Sequence, residues 1–296
     1  MVACVHCAST QPSPWLVVRD PPAEGASVDM RNYEDVLWDY NELLLSAQAL
    51  RECPKPRLVA VVRSEAERRE QRNVIRRTWG HPGNYANCSF RVVFLMGAVL
   101  NKKVVKTMKA EFNLHKDIVV ELKRQKQLKT CTLILAAEWV PSYALDTPLA
   151  LVLRDDTYVD VKAVMSALDR FSLSTGDLFG RVTLAADSKP QLEGCALFAK
   201  PRALVRLQPA FADEPLSCDA EESLVTGRLA RKAQLSMVHV SNMESCDPGA
   251  HEKDLSFEAT AMSGRVFTRT RVSIADMKKL YLQDLQFYHN FTARFE

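Results

Sequence analysis

The chain has 296 residues, 47% of them hydrophobic and 25% charged, with a formal net charge of +3. That length fits one large domain or two small ones, and the composition is that of a globular protein able to bury a core. The charge is too mild to point to nucleic acid, which asks for a strongly basic face.

Eight cysteines exceed the needs of a cytosolic protein of this size but are too sparse for a disulfide scaffold, and their pairing stays open. Two glycosylation sequons, Asn87-Cys88-Ser89 and Asn290-Phe291-Thr292, add a lean towards a secretory compartment. No segment approaches the roughly 20 apolar residues of a membrane-spanning helix. The amino end, MVACVHCASTQPSP, lacks the basic and long apolar regions of a signal peptide. Membrane association is therefore expected only through an anchor preceding this chain. Cys4 and Cys7 have the spacing of half a zinc site, with no second pair to complete it.

In chain order, residues 1–54 read as a stem or leader segment with one short helix around Asp35–Leu50. Cys53-Pro54-Lys55-Pro56 marks a boundary, since prolines favour extended chain, and a second domain is expected over 55–296. Arg57–Val62 is a β-branched run, hence a strand. Ser64 with Glu67 forms a capping-box signature and is expected to open a helix through Trp79. Phe90–Gly97 is a second strand. A helix follows with Val104, Val105, Met108 and Phe112 on one face. Asp117–Leu122 is a third strand, Leu128–Val140 a helix, Leu149–Leu153 a fourth strand and Val161–Phe171 a helix. The second half is less regular.

Strands that alternate with helices and read as continuous apolar runs imply a parallel sheet covered on both faces. Such a sheet places ligands at the carboxyl ends of its strands. Asp155 and Asp156 sit at one of those ends. Adjacent carboxylates there suit a hard divalent cation shared with phosphate; the same residue type also caps a following helix. Arg72 and Arg76, four apart, share a helix face. Glu221 and Glu222 begin an amphipathic segment, where acids also suit the helix dipole.

Together these stretches resemble the beta-1,3-galactosyltransferase group, glycosyltransferase family 31, over about residues 57–285. Arg72, Ile75, Arg76, Thr78, Trp79 and Gly80 match every fixed place of an Arg-x-x-Ile-Arg-x-Thr-Trp-Gly pattern. Phe94-Leu95-Met96-Gly97, the strand at 117–122, Leu128-Lys129-Thr130 and Trp139 follow in the family's order. The stretch RDDTYVD, 154–160, fits all but one position of an acidic motif, and EESLVTG, 221–227, fits a Glu-Asp motif with one substitution. The resemblance implies an α/β fold of GT-A type: a Rossmann-like mixed, mostly parallel sheet with helices on both faces.

It also implies an inverting hexosyltransferase that moves galactose or an N-acetylhexosamine from a UDP-sugar to a glycan hydroxyl on protein or lipid, in beta-1,3 linkage, in the Golgi. Asp156 would hold Mn²⁺, and Arg72, Arg76 and Asp155 would bind the nucleotide sugar. Glu222 would be the base for the acceptor hydroxyl, and Asn87 and Asn290 would carry glycans. The alternative is a catalytically inactive relative acting as a glycan-binding or accessory protein.

The departures are specific. Arg154 stands where the family has its first Asp, and a guanidinium ~4 Å from a metal site opposes the cation by about 1–4 kcal/mol. The same group can instead bind phosphate bidentately. Glu222 replaces an Asp. The segment between Gly180 and Gly194 is shorter than usual, and a late His is absent, with His239 and His251 as possible substitutes.

Overall fold

The computed structural model describes residues 50, 53, 55–85, 88–97, 101–121, 128–184, 188–212, 224–246 and 265–292. The stem helix expected near Asp35–Leu50, the Cys4–Cys7 pair, Asn87, His251 and Glu222 lie outside them, save for Leu50 itself.

The strands are β1 (Leu58–Arg63), β2 (Phe90–Gly97), β3 (Ile118–Glu121), β4 (Leu149–Arg154), β5 (Tyr158–Val159), β6 (Leu178–Leu184), β7 (Pro190–Ala199), β8 (Met237–His239) and β9 (Thr268–Arg269). The helices are α1 (Arg69–Arg77), α2 (Lys102–His115), α3 (Leu128–Tyr143), α4 (Val161–Leu173), α5 (Pro201–Ala212) and α6 (Ile274–Thr292). Seven strands form one sheet in the order β3-β2-β1-β4-β7-β6-β8, and β5 pairs with β9 in a small second sheet. Within the large sheet β7 alone runs against its neighbours β4 and β6, while the other pairings are parallel. This is the mixed, mostly parallel Rossmann-like architecture that the resemblance implies.

Burial on both faces explains the unbroken apolar runs. All six residues of β1 are buried. Leu58, Ala60 and Val62 face one core cluster, with Ile75 of α1, Met108 of α2 and Leu168 of α4. Val59 and Val61 face the other, with Ile134 of α3 and Leu204 of α5. Parallel sheets need such double cover. The parallel register pairs Arg63 with Arg154, so the ends of β1 and β4 come out side by side.

Two local expectations change. The helix after β1 begins at Arg69, with Arg68 at its N-cap position and no capping side chain. Ser64 is drawn into the buried network described below, and Ala66–Glu67 make a turn instead. The short stretch from Gly180 to Gly194 runs from β6 into the antiparallel β7, with a register shift between Gly180 and Val182. Disulfides join Cys53 to Cys88 and Cys195 to Cys246, with Cα separations of 5.5 and 5.9 Å. The first ties together the approaches to β1 and β2; the second ties β7 to the segment after β8.

Phe171 of α4 is fully buried and packs on Phe179, Phe198 and Phe267 at ring-centroid distances of 5.3, 4.8 and 6.0 Å. One ring thus fastens α4 to β6, β7 and the segment leading into β9. Replacing it by alanine leaves a cavity that three rigid rings cannot fill. Denaturant unfolding of Phe171→Ala should show a loss of about 3–5 kcal/mol; a loss below about 1 kcal/mol would mean that this cluster does not bind the layers together.

Candidate functional site

The apolar run of β4 ends where the chain leaves the sheet, so Arg154, Asp155 and Asp156 emerge beside the end of β1. Asp155 is 2% exposed. One carboxylate oxygen accepts from the Ser64 hydroxyl at 2.7 Å, and the other pairs with Arg68 Nη1 at 2.9 Å. Gln71 Nε2 donates to the Asp155 carbonyl at 2.9 Å. Burial pushes the Asp155 carboxyl above its ordinary value; Ser64 and Arg68 pull it down, and the neighbouring Asp156 charge adds to the rise.

Asp156 is engaged by its own neighbour. Arg154 Nε and Nη2 reach the two Asp156 oxygens at 3.1 and 2.5 Å, a bidentate fork. The Asp156 carbonyl accepts from the Val272 amide at 2.8 Å, which closes the segment after β9 over the pair. On the neighbouring strand Arg63 Nη2 donates to the Gly194 carbonyl. Glu193 beside it accepts from the Ser245 hydroxyl and the Cys246 amide at 2.8 and 2.6 Å. Glu193, Cys195 and Cys246 are close enough to suggest a metal site, but both sulfurs are committed to the disulfide.

The arginine signature turns out to be framework. Arg72 is completely buried, and all five of its N–H donors have partners. Nε and Nη2 bind the two oxygens of Glu111 at 2.9 and 2.8 Å. Nη1 binds the Ser64 hydroxyl at 3.1 Å and the Glu65 carbonyl; Nη2 also binds the Ala66 carbonyl at 3.0 Å. Arg76 grips Asp117 at 2.7 and 2.8 Å and Glu111 at 2.7 Å, and lies over the Phe94 ring at 4.7 Å. In this arrangement Arg72 has no donor to spare, and Arg76 is held by two acids. They do not share an open crevice with Asp156.

The rest of the signature follows the same logic. Ile75 and Trp79 are buried, and the Thr78 hydroxyl donates to the Val74 carbonyl at 2.7 Å. A Cβ on Gly80 would meet Ile75 Cγ2 at 2.8 Å and the Ile75 carbonyl oxygen at 2.9 Å. Sequence reasoning missed Glu111, whose ionisation this network requires. Burial opposes its charge, but the hydrogen bonds and charges of Arg72 and Arg76 outweigh it and hold the carboxyl below the ordinary range.

Of the Glu-Asp motif, the carboxyl half is described. Leu224–Leu229 forms a π-helical turn, the Thr226 hydroxyl donates to the Leu192 carbonyl at 2.5 Å, and Gly227 is close-packed on Gln191. Thr226 and Gly227 are thus held against Leu192 and Gln191 of β7. His239 accepts from the Val182 amide at 3.1 Å through Nδ1. Asn290 is exposed near the end of α6. A cavity of about 470 Å³ lies between α1 and the end of α2, lined in part by Arg69, Arg76, Arg77 and Lys116. Asp155 and Asp156 do not line it, so the site is placed by charge and chain geometry rather than by that hollow.

These residues do not fit the expected Mn²⁺. A hard cation needs carboxylate oxygens facing it. Here each oxygen of Asp155 and Asp156 already has a protein donor, two of the donors on one guanidinium and one on another. Among the described residues no helix is long and apolar enough to cross a membrane.

Residues 70–193 match the Galactosyltransferase family model. Over 141 residues the chain is 31% identical to lactosylceramide 1,3-N-acetyl-beta-D-glucosaminyltransferase of Xenopus tropicalis, covering 42% of this chain and 36% of that protein. Over 115 residues it is 30% identical to beta-1,3-galactosyltransferase brn of Drosophila melanogaster, covering 38% and 35%. The alignments span about a third of the length of these relatives. Among solved structures, mannosyltransferase PcManGT from Pyrobaculum calidifontis is similar with a TM-score of 0.39 and 12% identity, over 71% of this chain and 64% of that one. TarS of S. aureus gives 0.39 and 9%, over 62% and 58%. Over residues 70–193, less than half of its length, the chain is thus similar to the galactosyltransferase family.

The buried pair makes a definite stability claim. Arg72→Met leaves Glu111 with one fewer cation in a dry setting and should cost about 3–5 kcal/mol at pH 7. In the native protein Glu111 titrates below its ordinary value of 4.5, so its contribution is complete above that pH and is lost as pH falls through the lower folded value. The gap between wild type and variant in denaturant unfolding should therefore be widest near neutrality and narrow in acid. A gap independent of pH would show that the charge on Glu111 is not what Arg72 stabilises.

Proposed function

We propose that this chain is a divergent relative of the beta-1,3-galactosyltransferases and an inverting glycosyltransferase that uses a UDP-sugar, with its donor site at the carboxyl ends of β1 and β4. The observation that carries the reading is the emergence of the RDDTYVD stretch beside Ser64 and Arg68, within the span that matches the Galactosyltransferase model. In open α/β sheets that is where nucleotides are held. Thr226 and Gly227 of the EESLVTG stretch pack on β7, and the same stretch supplies the base in this reading.

The proposed step is one in-line displacement. The acceptor hydroxyl oxygen bonds to the anomeric carbon, the bond from that carbon to the diphosphate oxygen breaks, and UDP departs with the electron pair. The hydroxyl proton passes to Glu222. A sugar hydroxyl attacks poorly until a positioned base removes its proton, and the charge that develops on the diphosphate needs fixed positive groups. Arg154 and Arg68 are the cations standing at this position. The sugar, galactose or N-acetylhexosamine, the beta-1,3 linkage, a glycan acceptor on protein or lipid, a Golgi setting and glycans on Asn87 and Asn290 are proposed with it.

One observation favours the competing reading of an inactive, binding-only relative: Arg154 closes on Asp156. The two readings part at the base. Glu222→Gln should lower sugar transfer by about 10²–10⁴-fold and leave UDP affinity, read by calorimetric titration, unchanged. Unaltered turnover would remove Glu222 from the mechanism, and UDP binding without any turnover in the wild type would favour the binding protein.

A further inference from the structure

We propose that the Arg154 guanidinium, held in place by Asp156, stands where a divalent cation would otherwise sit, so that a nucleoside diphosphate binds here without metal. This rests on the donor-site reading above. It starts from a charge count. Three acids in this motif would carry three negative charges and attract a dication strongly. Arg154, Asp155 and Asp156 carry one net negative charge, and the Arg68 pair with Asp155 brings the group to neutrality.

A divalent cation approaching that group gains no net attraction. It must also break the Arg154–Asp156 fork and then sit a few ångströms from the displaced guanidinium. A diphosphate meets no such barrier. The two side chains are arranged with the carboxylate inward and the guanidinium outward: Asp156 is 14% exposed and Arg154 34%. Arg154 Nε and Nη2 face Asp156, and among the described residues Nη1 has no hydrogen-bond partner. A planar guanidinium with open N–H groups matches phosphate oxygens in pairs. Arg68, 39% exposed and paired with Asp155, supplies a second cation beside the motif. Asp156 in this view is a positioning residue that aims Arg154.

The test is calorimetric titration of UDP into the purified chain, in EDTA and in excess Mn²⁺. Wild type should bind UDP equally well in both. Arg154→Ala should bind about tenfold more weakly in EDTA, the loss of a charge-assisted hydrogen-bonded contact. Arg154→Asp, which restores a third acid, should bind only with Mn²⁺; its binding under that condition also shows that it folds. Wild-type binding that requires Mn²⁺, or Arg154→Ala binding as wild type does, overturns the inference and leaves the donor reading standing. Absence of UDP binding in either buffer overturns both. The wild-type comparison decides even where a variant fails to fold.

Discussion

A completely buried arginine is the constraint around which this fold is arranged. Arg72 sits in the core out of contact with solvent, and a buried guanidinium survives only when its charge and its donors are matched. Glu111 of α2 supplies the charge, and Ser64, Glu65 and Ala66 supply the acceptors. Through these contacts one side chain fixes three elements: α1, which carries it; α2, which carries Glu111; and the turn after β1. The Ser64 hydroxyl in turn donates a hydrogen bond to Asp155, so the end of β4 is positioned by the same network. Arg76 and Asp117 extend it to the start of β3.

The chemistry at the sheet's edge follows from that arrangement. Asp155 is spent on holding β4 to α1, since burial and two donors leave it no free oxygen. Asp156 is spent on aiming Arg154. A motif that would otherwise concentrate negative charge for a cation is turned into one whose outward-facing group is positive. Arg154 is the more exposed partner of the pair, so the group this stretch turns to solvent is positive.

Most of the sheet was legible in the sequence, because double burial writes itself as an unbroken apolar run. Leu58–Val62, Val92–Met96 and Leu149–Leu153 are such runs, and their shortness favours strand over helix. The later strands were harder. β7 begins in the polar stretch Pro190-Gln191-Leu192-Glu193 and runs antiparallel, and β8 is three half-buried residues. Ser64 was misread as a helix cap because the capping signature is local, whereas its partners Arg72 and Asp155 lie 8 and 91 residues away. Spacing placed Arg72 and Arg76 on one face but did not say that the face points inward. The missing signal was Glu111, an acid set between Met108 and Phe112 on the apolar stripe of α2, which announces a buried cation opposite. Likewise Arg154 and Asp156 are two apart at a strand end, on the same side of the chain, so their pairing was there to be read.

In the proposed donor site the acidic motif presents a guanidinium, not a metal site. The most direct measurement is a crystal structure grown with UDP and Mn²⁺, with anomalous data collected at the manganese edge. Diphosphate oxygens should lie within hydrogen-bonding distance of Arg154, with no anomalous peak between Asp155 and Asp156. A manganese peak coordinated by Asp156, with Arg154 swung away, would contradict this assignment.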